Sequence, residues 1–183
     1  MRATFALLTP RPLENRFSKL GWDINLRWKT GVQARCLAPH ISLKQPFHIG
    51  DNLGLLEAYM ATFATSIPPF QVELKDFRVW ESFFVVHVEE TPILRDLHNR
   101  LNRELPPLFG DVSALFDGDD YQFHLTVTSG NVPAETYREI YAVYAETPVR
   151  ETFLASELAM FVFNERAPNL RDYMTHTVLP LTG

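Results

Sequence analysis

The feature that most constrains this chain is a four-residue pattern that occurs twice, far apart in the sequence. The copies are His40-Ile41-Ser42-Leu43 and His124-Leu125-Thr126-Val127, each a histidine, an apolar residue, a small hydroxyl residue and an apolar residue. Alternate side chains of a β-strand leave on opposite faces. The pattern therefore predicts two strands that each present an imidazole and a hydroxyl on one face and bury the two apolar residues.

These residue types have the chemistry of general acid-base catalysis. The pKa of histidine lies near working pH, so an imidazole can accept or deliver a proton, and hydroxyl groups can donate hydrogen bonds to an oxyanion such as a phosphodiester. A single copy has little weight, because strands alternate and Ser and Thr are common. Two copies at matching places in two similar halves make His40, Ser42, His124 and Thr126 the candidate catalytic residues.

Two neighbouring residues are candidate substrate ligands. Lys44 has the strand parity of His40 and Ser42, so an uninterrupted strand from about residue 33 to residue 44 would direct its ammonium group into the same cleft. Tyr121 flanks the second pattern and could stack on a base, whereas Phe123 shares the inward parity of Leu125.

The order of predicted elements indicates an α+β fold. Apolar alternation predicts strands over residues 3–9, 33–44, 70–74, 82–88, 121–129, 153–163 and 173–181, and helical spacing predicts helices after Pro10, Asn52, Thr91 and Pro133. The series resembles a diverged duplication. We therefore expect one domain over residues 1–183, with two sheet-plus-helix lobes and the two patterns facing across a groove between them.

Composition limits the class of protein. Hydrophobic residues make up 46% and charged residues 21%, which is typical of a globular chain, and the net charge of −5 provides no overall basic field for nucleic acid. Cys36 is the single cysteine, which excludes an internal disulfide and fits a reducing compartment; we expect it to be buried. No signal peptide or membrane-spanning run is recognised, so the protein is expected in the cytoplasm.

Other functional motifs are absent from the sequence. It contains no glycine-rich phosphate loop, no dinucleotide-binding pattern, no HExxH and no CxxC, so we expect no metal and no cofactor. Asp117-Gly118-Asp119-Asp120 lacks the spacing of a calcium loop and is interpreted as a solvated turn. The remaining histidines belong to no motif, and His87, in an apolar strand, is expected to be structural.

With both patterns intact, the sequence resembles the 2H phosphoesterases, which include 2′-5′ RNA ligase-like proteins and cyclic phosphodiesterases. The resemblance extends to the opening Phe5-Ala6-Leu7 and to the strand-strand-helix from Phe70 to Leu101. It implies a bilobal α+β fold of two antiparallel sheets flanked by helices, with the active-site cleft between the lobes. One departure is that many relatives have an arginine after the second pattern, where this chain has Thr128-Ser129-Gly130.

The function that the resemblance implies is metal-independent hydrolysis of 2′,3′-cyclic phosphodiesters, at RNA ends or on small nucleotides. One alternative is a 2′-5′ RNA ligase, which runs the same chemistry backwards with a 5′-hydroxyl in place of water. Another is a catalytically weak module that binds RNA or a nucleotide, which the acidic net charge and the absent arginine keep open. We expect a monomer, and the sequence leaves open which histidine is the acid.

Overall fold

The computed structural model describes residues 1–31, 37–80, 82–163 and 173–183. Within them, nine strands form one antiparallel sheet accompanied by five helices. The strands are β1 (Arg2–Leu8), β2 (His40–Ser42), β3 (Phe47–His48), β4 (Phe70–Trp80), β5 (Phe83–Val88), β6 (His124–Ser129), β7 (Glu151–Ala155), β8 (Glu157–Phe163) and β9 (Tyr173–Pro180). The helices are α1 (Arg11–Trp28), α2 (Leu53–Thr65), α3 (Pro92–Glu104), α4 (Pro106–Phe109) and α5 (Ala134–Tyr144). The α+β class predicted from the sequence is confirmed.

The sheet consists of two halves that meet at one residue pair. The strand order is β7-β4-β5-β6-β2-β1-β8-β9, and β3 pairs with β1. Between β6 and β2 the pairing is limited to Leu125 and Ile41. The two predicted antiparallel sheets are therefore the β7-β4-β5-β6 half and the β2-β1-β8-β9 half of one continuous sheet, and the two patterned strands lie side by side at the junction.

The helices supply the core on the apolar face of the sheet. In α1, Leu13, Phe17 and Ile24 are buried at helical spacing, and Lys29 ends the helix in a left-handed conformation with φ of 59°. Gly21 of this helix approaches β6 so closely that a Cβ atom would come 2.9 Å from the carbonyl oxygen of Val127. This close approach seats α1 directly beneath the second patterned strand.

Two other predicted features take a different form. The first patterned strand is only three residues long, because the chain bends at Leu43 and Lys44. The predicted start of that strand, with Cys36, lies outside the described residues. The apolar stretch over residues 153–163 forms two strands, β7 and β8, rather than one.

Among the described helices, none combines the length and the apolar character needed to cross a membrane.

Candidate active site

The register between β2 and β6 brings the four candidate catalytic residues together. Ile41 and Leu125 are directly paired and fully buried on the core face. Antiparallel register then sets His40 opposite Thr126 and Ser42 opposite His124, on the other face, where all four side chains are half-buried. Opposed Cα atoms in such pairs lie about 4.5–5.5 Å apart. The face shared by the two patterns, expected from strand parity, is present in the structure.

Both histidines have the same hydrogen bond to the backbone. Nδ1 of His40 lies 2.8 Å from the carbonyl oxygen of Ala38, and Nδ1 of His124 lies 2.9 Å from that of Gln122. A carbonyl oxygen only accepts, so each Nδ1 carries its hydrogen and donates it. In the neutral ring this leaves the lone pair on Nε2, and the two imidazoles are held in the same tautomer by the same local geometry.

An aromatic ring packs against each of these imidazoles. Phe161 of β8 meets His40 edge-on with ring centroids 4.6 Å apart, and Trp80 of β4 meets His124 at 4.5 Å. These contacts restrict the rotation of both rings and keep water from their sides. Sequence reasoning missed both aromatics, because each comes from a strand that lies far from its histidine in sequence and belongs to no motif.

The surroundings lower the pKa of both histidines. Burial is the main cause for His40, His124 adds to it, and the bond to Ala38 opposes it, so that the pKa of His40 falls to about 4. Burial also lowers the pKa of His124, against the opposing bond to Gln122. His40 is therefore neutral at pH 7. A phosphate anion in the cleft would act in the opposite direction and raise both pKa values.

Lys44 does not lie where an uninterrupted strand would have directed it. Its side chain is fully buried, its ammonium group donates to Oδ1 of Asn102 at 2.6 Å, and it forms an ion pair with Asp117. The cause is the bend that ends β2 at Ser42, which changes the parity of the following residues. The expectation of a phosphate-binding lysine is corrected accordingly: Lys44 anchors the chain beside the site. Asp117, expected in a solvated turn, has a side chain only 8% exposed.

Tyr121 is also buried rather than presented to a base. Its ring is 2% exposed and stacks on His98 with centroids 4.1 Å apart, and its hydroxyl donates to the carbonyl oxygen of Ser42 at 2.9 Å. Base stacking by this ring is therefore corrected to support of the backbone of the first pattern. Its parity, shared with Phe123 and Leu125, is the sequence signal that could have indicated burial.

His98 completes this anchoring network and was missed at the sequence level. Its Nδ1 donates to the carbonyl oxygen of Leu43 at 2.8 Å, and Nε2 accepts from the backbone of Gly118 and the side chain of Asn102, both at 2.9 Å. The fully buried ring thus joins the end of the first patterned segment to the loop that leads to the second. Burial lowers its pKa and keeps it neutral, as two accepted hydrogen bonds on Nε2 require.

Across residues 1–31, 37–80, 82–163 and 173–183, no group of three or more histidine, cysteine, aspartate or glutamate side chains is arranged to hold a metal ion.

Comparison with known proteins identifies the family of the chain. A family model described as the 2′-5′ RNA ligase superfamily matches residues 10–167. No curated protein matches the chain in sequence.

Solved structures share the fold at low sequence identity. TT0787 of Thermus thermophilus is 14% identical with a TM-score of 0.66, covering 100% of this chain and 99% of that chain. E. coli LigT complexed with 3′-AMP is 18% identical with a TM-score of 0.59, covering 100% and 98%. Kluyveromyces marxianus Usb1 is 14% identical with a TM-score of 0.61, covering 98% and 97%. The family match over most of the chain, on this fold, means that the chain belongs to the 2′-5′ RNA ligase superfamily, within the 2H phosphoesterases.

Proposed function

We propose that this protein hydrolyses 2′,3′-cyclic phosphodiesters, at RNA ends or on small nucleotides, by metal-independent acid-base catalysis. The observation that carries the proposal is the Ile41–Leu125 pair, which sets two imidazoles and two hydroxyls on one face of the sheet. The matching bonds from Nδ1 to Ala38 and Gln122 leave both Nε2 atoms as the nitrogens that exchange protons.

In the proposed reaction, one imidazole Nε2 takes a proton from water as the water oxygen attacks phosphorus. The bond from phosphorus to one ribose oxygen breaks in line, and the other imidazole delivers a proton from its Nε2 to that oxygen. The hydroxyls of Ser42 and Thr126 donate hydrogen bonds to the non-bridging oxygens while negative charge builds on them. Each histidine lies opposite a hydroxyl from the other strand, so both patterns contribute to each side of the phosphate.

The lowered pKa values fit a site that acquires its acid form with substrate. A neutral His40 is ready to accept a proton at pH 7. The charge of an entering phosphodiester raises the pKa of a nearby imidazole, so the acid is protonated as substrate binds. Support for a nucleotide comes from LigT, which shares this fold and has been crystallised with 3′-AMP.

The deciding experiment is an activity assay in chelator. The purified protein is incubated with nucleoside 2′,3′-cyclic phosphates and with oligonucleotides that end in a cyclic phosphate, some with a 5′-hydroxyl acceptor present. Release of a phosphomonoester supports hydrolysis, and the rate of release should fall by at least about 10²-fold in the His40→Ala and His124→Ala variants. Joined oligonucleotides without hydrolysis would favour the 2′-5′ RNA ligase, and binding without turnover would favour the nucleotide-binding module. Activity that is lost on chelation and restored by Zn²⁺ or Mn²⁺ would contradict the proposal.

A further inference from the structure

A third histidine lies next to His124 on the cleft face. His87 of β5 is the direct cross-strand partner of His124 on β6, and the residues beside them, Val86 and Leu125, are buried on the core face. Directly opposed side chains in a sheet are close enough to touch. The two-histidine reaction gives His87 no part, although its side chain is 21% exposed.

The imidazole of His87 has unused hydrogen-bonding capacity. Its Nδ1 is buried and has no hydrogen-bond partner among the described residues; the carboxylate of Asp76 is 3.5 Å away, at the outer limit for such a bond. By contrast, His40, His98 and His124 each use Nδ1 to donate to a backbone carbonyl. Buried polar groups without a partner are rare in folded proteins, and each one calls for a physical explanation.

Asp76 also holds a cation on the same face. Arg78, two residues along β4, is joined to Asp76 by bonds of 3.1 and 3.5 Å from Nε and Nη2. Arg78 pairs across β5 with Val85, which pairs with Thr126, so its Cα lies about 10 Å, two strand spacings, from that of Thr126. Trp80 follows on the same face, against His124.

We propose that Arg78 and His87 form an oxyanion subsite beside the two patterns, which binds a second phosphate of the substrate in place of Asp76. The guanidinium of Arg78 exchanges its exposed carboxylate partner for phosphate oxygens, and the imidazole of His87 donates to the same group. The inference rests on the proposed function and specifies its substrate class: a nucleotide that carries a 5′ phosphate besides the cyclic one, as the last nucleotide of an RNA that ends in a cyclic phosphate does.

The charge distribution favours this group over the other cations near the site. Lys44 is fully buried against Asp117, and Lys75 is shared between Glu73 and Glu89 at 3.3 Å each. The side chain of Arg78 is 41% exposed and that of its partner Asp76 is 54% exposed, so water weakens their pairing. Arginine binds phosphate through two parallel N–H donors, a geometry that a lysine does not offer.

The test compares two unreactive ligands that differ by one phosphate: 3′-AMP and adenosine 3′,5′-bisphosphate. Dissociation constants are measured by calorimetry for the parent, Arg78→Gln, His87→Gln and Arg150→Gln. Arg150 is the matched control, since its side chain is 73% exposed, lies 3.7 Å from Glu73 and has no place in the proposed subsite. The parent should bind the bisphosphate about tenfold more tightly than 3′-AMP, and Arg78→Gln should abolish that preference. His87→Gln should reduce it, and Arg150→Gln should leave it unchanged.

Salt dependence supplies a second measurement. Because salt screens the attraction between a guanidinium and a phosphate, the affinity for the bisphosphate should depend less steeply on salt concentration in Arg78→Gln than in the parent. Equal affinity of the parent for both ligands, or a preference that survives in Arg78→Gln, would overturn the subsite. A loss as large in Arg150→Gln would indicate only a general electrostatic effect and would overturn it as well.

The same variants separate this inference from the proposed function. Turnover of adenosine 2′,3′-cyclic phosphate by the parent tests the reaction, whereas the ratio of kcat/KM between this substrate and its 5′-phosphorylated form tests the subsite. Turnover with the same kcat/KM for both substrates would support the proposed reaction and contradict the subsite. Tighter binding of the bisphosphate without any turnover would support the subsite and contradict the proposed reaction.

Discussion

The two patterned strands contribute the same residue types but are held by different means. The strand with His124, β6, has six residues and is paired over five positions with β5. The strand with His40, β2, has only three residues, all paired with β1, and side chains also fix this part of the backbone: His98 bonds to Leu43, and Tyr121 bonds to Ser42. Backbone pairing therefore holds the second patterned strand over most of its length, whereas the first combines a short pairing with a buried polar network. Changes to that network should affect the first histidine selectively.

The largest expected effect is on chemistry, where the two strands should be equivalent. His40→Ala and His124→Ala should each lower kcat by about 10²–10⁴-fold, because each removes one proton-transfer group. The double variant should lose less than the product of the two losses, since the groups act as a unit. The control is His176→Ala, which removes a histidine of β9 that is bonded to Glu57 of α2 and should keep parent activity. Near-parent rates in either site variant would assign that histidine a structural role.

The next effect separates the two means of support. Lys44→Met should lower the free energy of unfolding by about 3–5 kcal/mol, because it leaves Asp117 buried without its partner. Urea unfolding measures this. Adding Asp117→Asn should recover part of the loss, and Lys75→Met, which removes a more exposed cation, should cost under about 1 kcal/mol. If Lys44→Met were no worse than Lys75→Met, the buried network would not hold the first strand.

A pH effect of intermediate size follows from the lowered pKa of His40. Between its unfolded pKa of 6.5 and its folded pKa of about 4, the unfolded chain binds a proton that the folded protein does not. The contribution of His40 to the free energy of unfolding should therefore be largest above pH 6.5, decrease as the pH falls and become constant near pH 4. The total decrease from this residue should be at most about 3 kcal/mol. The difference in unfolding free energy between the parent and His40→Gln, followed from pH 7 to pH 4, isolates it from the other histidines. A difference independent of pH would contradict the shift.

The smallest effect compares one tyrosine hydroxyl at each strand. Tyr121→Phe removes the bond to Ser42, and Tyr137→Phe removes a bond of 3.1 Å to the carbonyl oxygen of Gly130, just after β6. Each should cost about 1 kcal/mol in unfolding free energy. Only Tyr121→Phe should also lower kcat, because the short β2 depends on this bond as well as on its three-residue pairing with β1. Equal kcat values for the two variants would contradict the claim that the two strands are held in different ways.

Local pattern predicted much of this structure, and its failures share one cause. Alternation predicted the shared face of the four half-buried residues, the inward Phe123 and most strand and helix positions, since each depends on neighbours in sequence. It did not predict the bend after Ser42 that buries Lys44, because that bend is stabilised by His98 from a later helix and by Asp117 from a later loop. The position of His87 beside His124 likewise depends on strand pairing. Contacts between segments that are distant in sequence cannot be predicted from the spacing of neighbouring residues.

The division of the sheet has a consequence for the order in which the molecule assembles. Strands β4 to β7 occur together in the chain, between residues 70 and 155, and complete their half without help from either end. The other half joins β1 and β2 to β8 and β9, across most of the sequence. Pairings between distant segments form slowly, and a chain emerges from the ribosome in sequence order. The half with His124 can thus fold during synthesis, whereas the partners that complete the half with His40 arrive last.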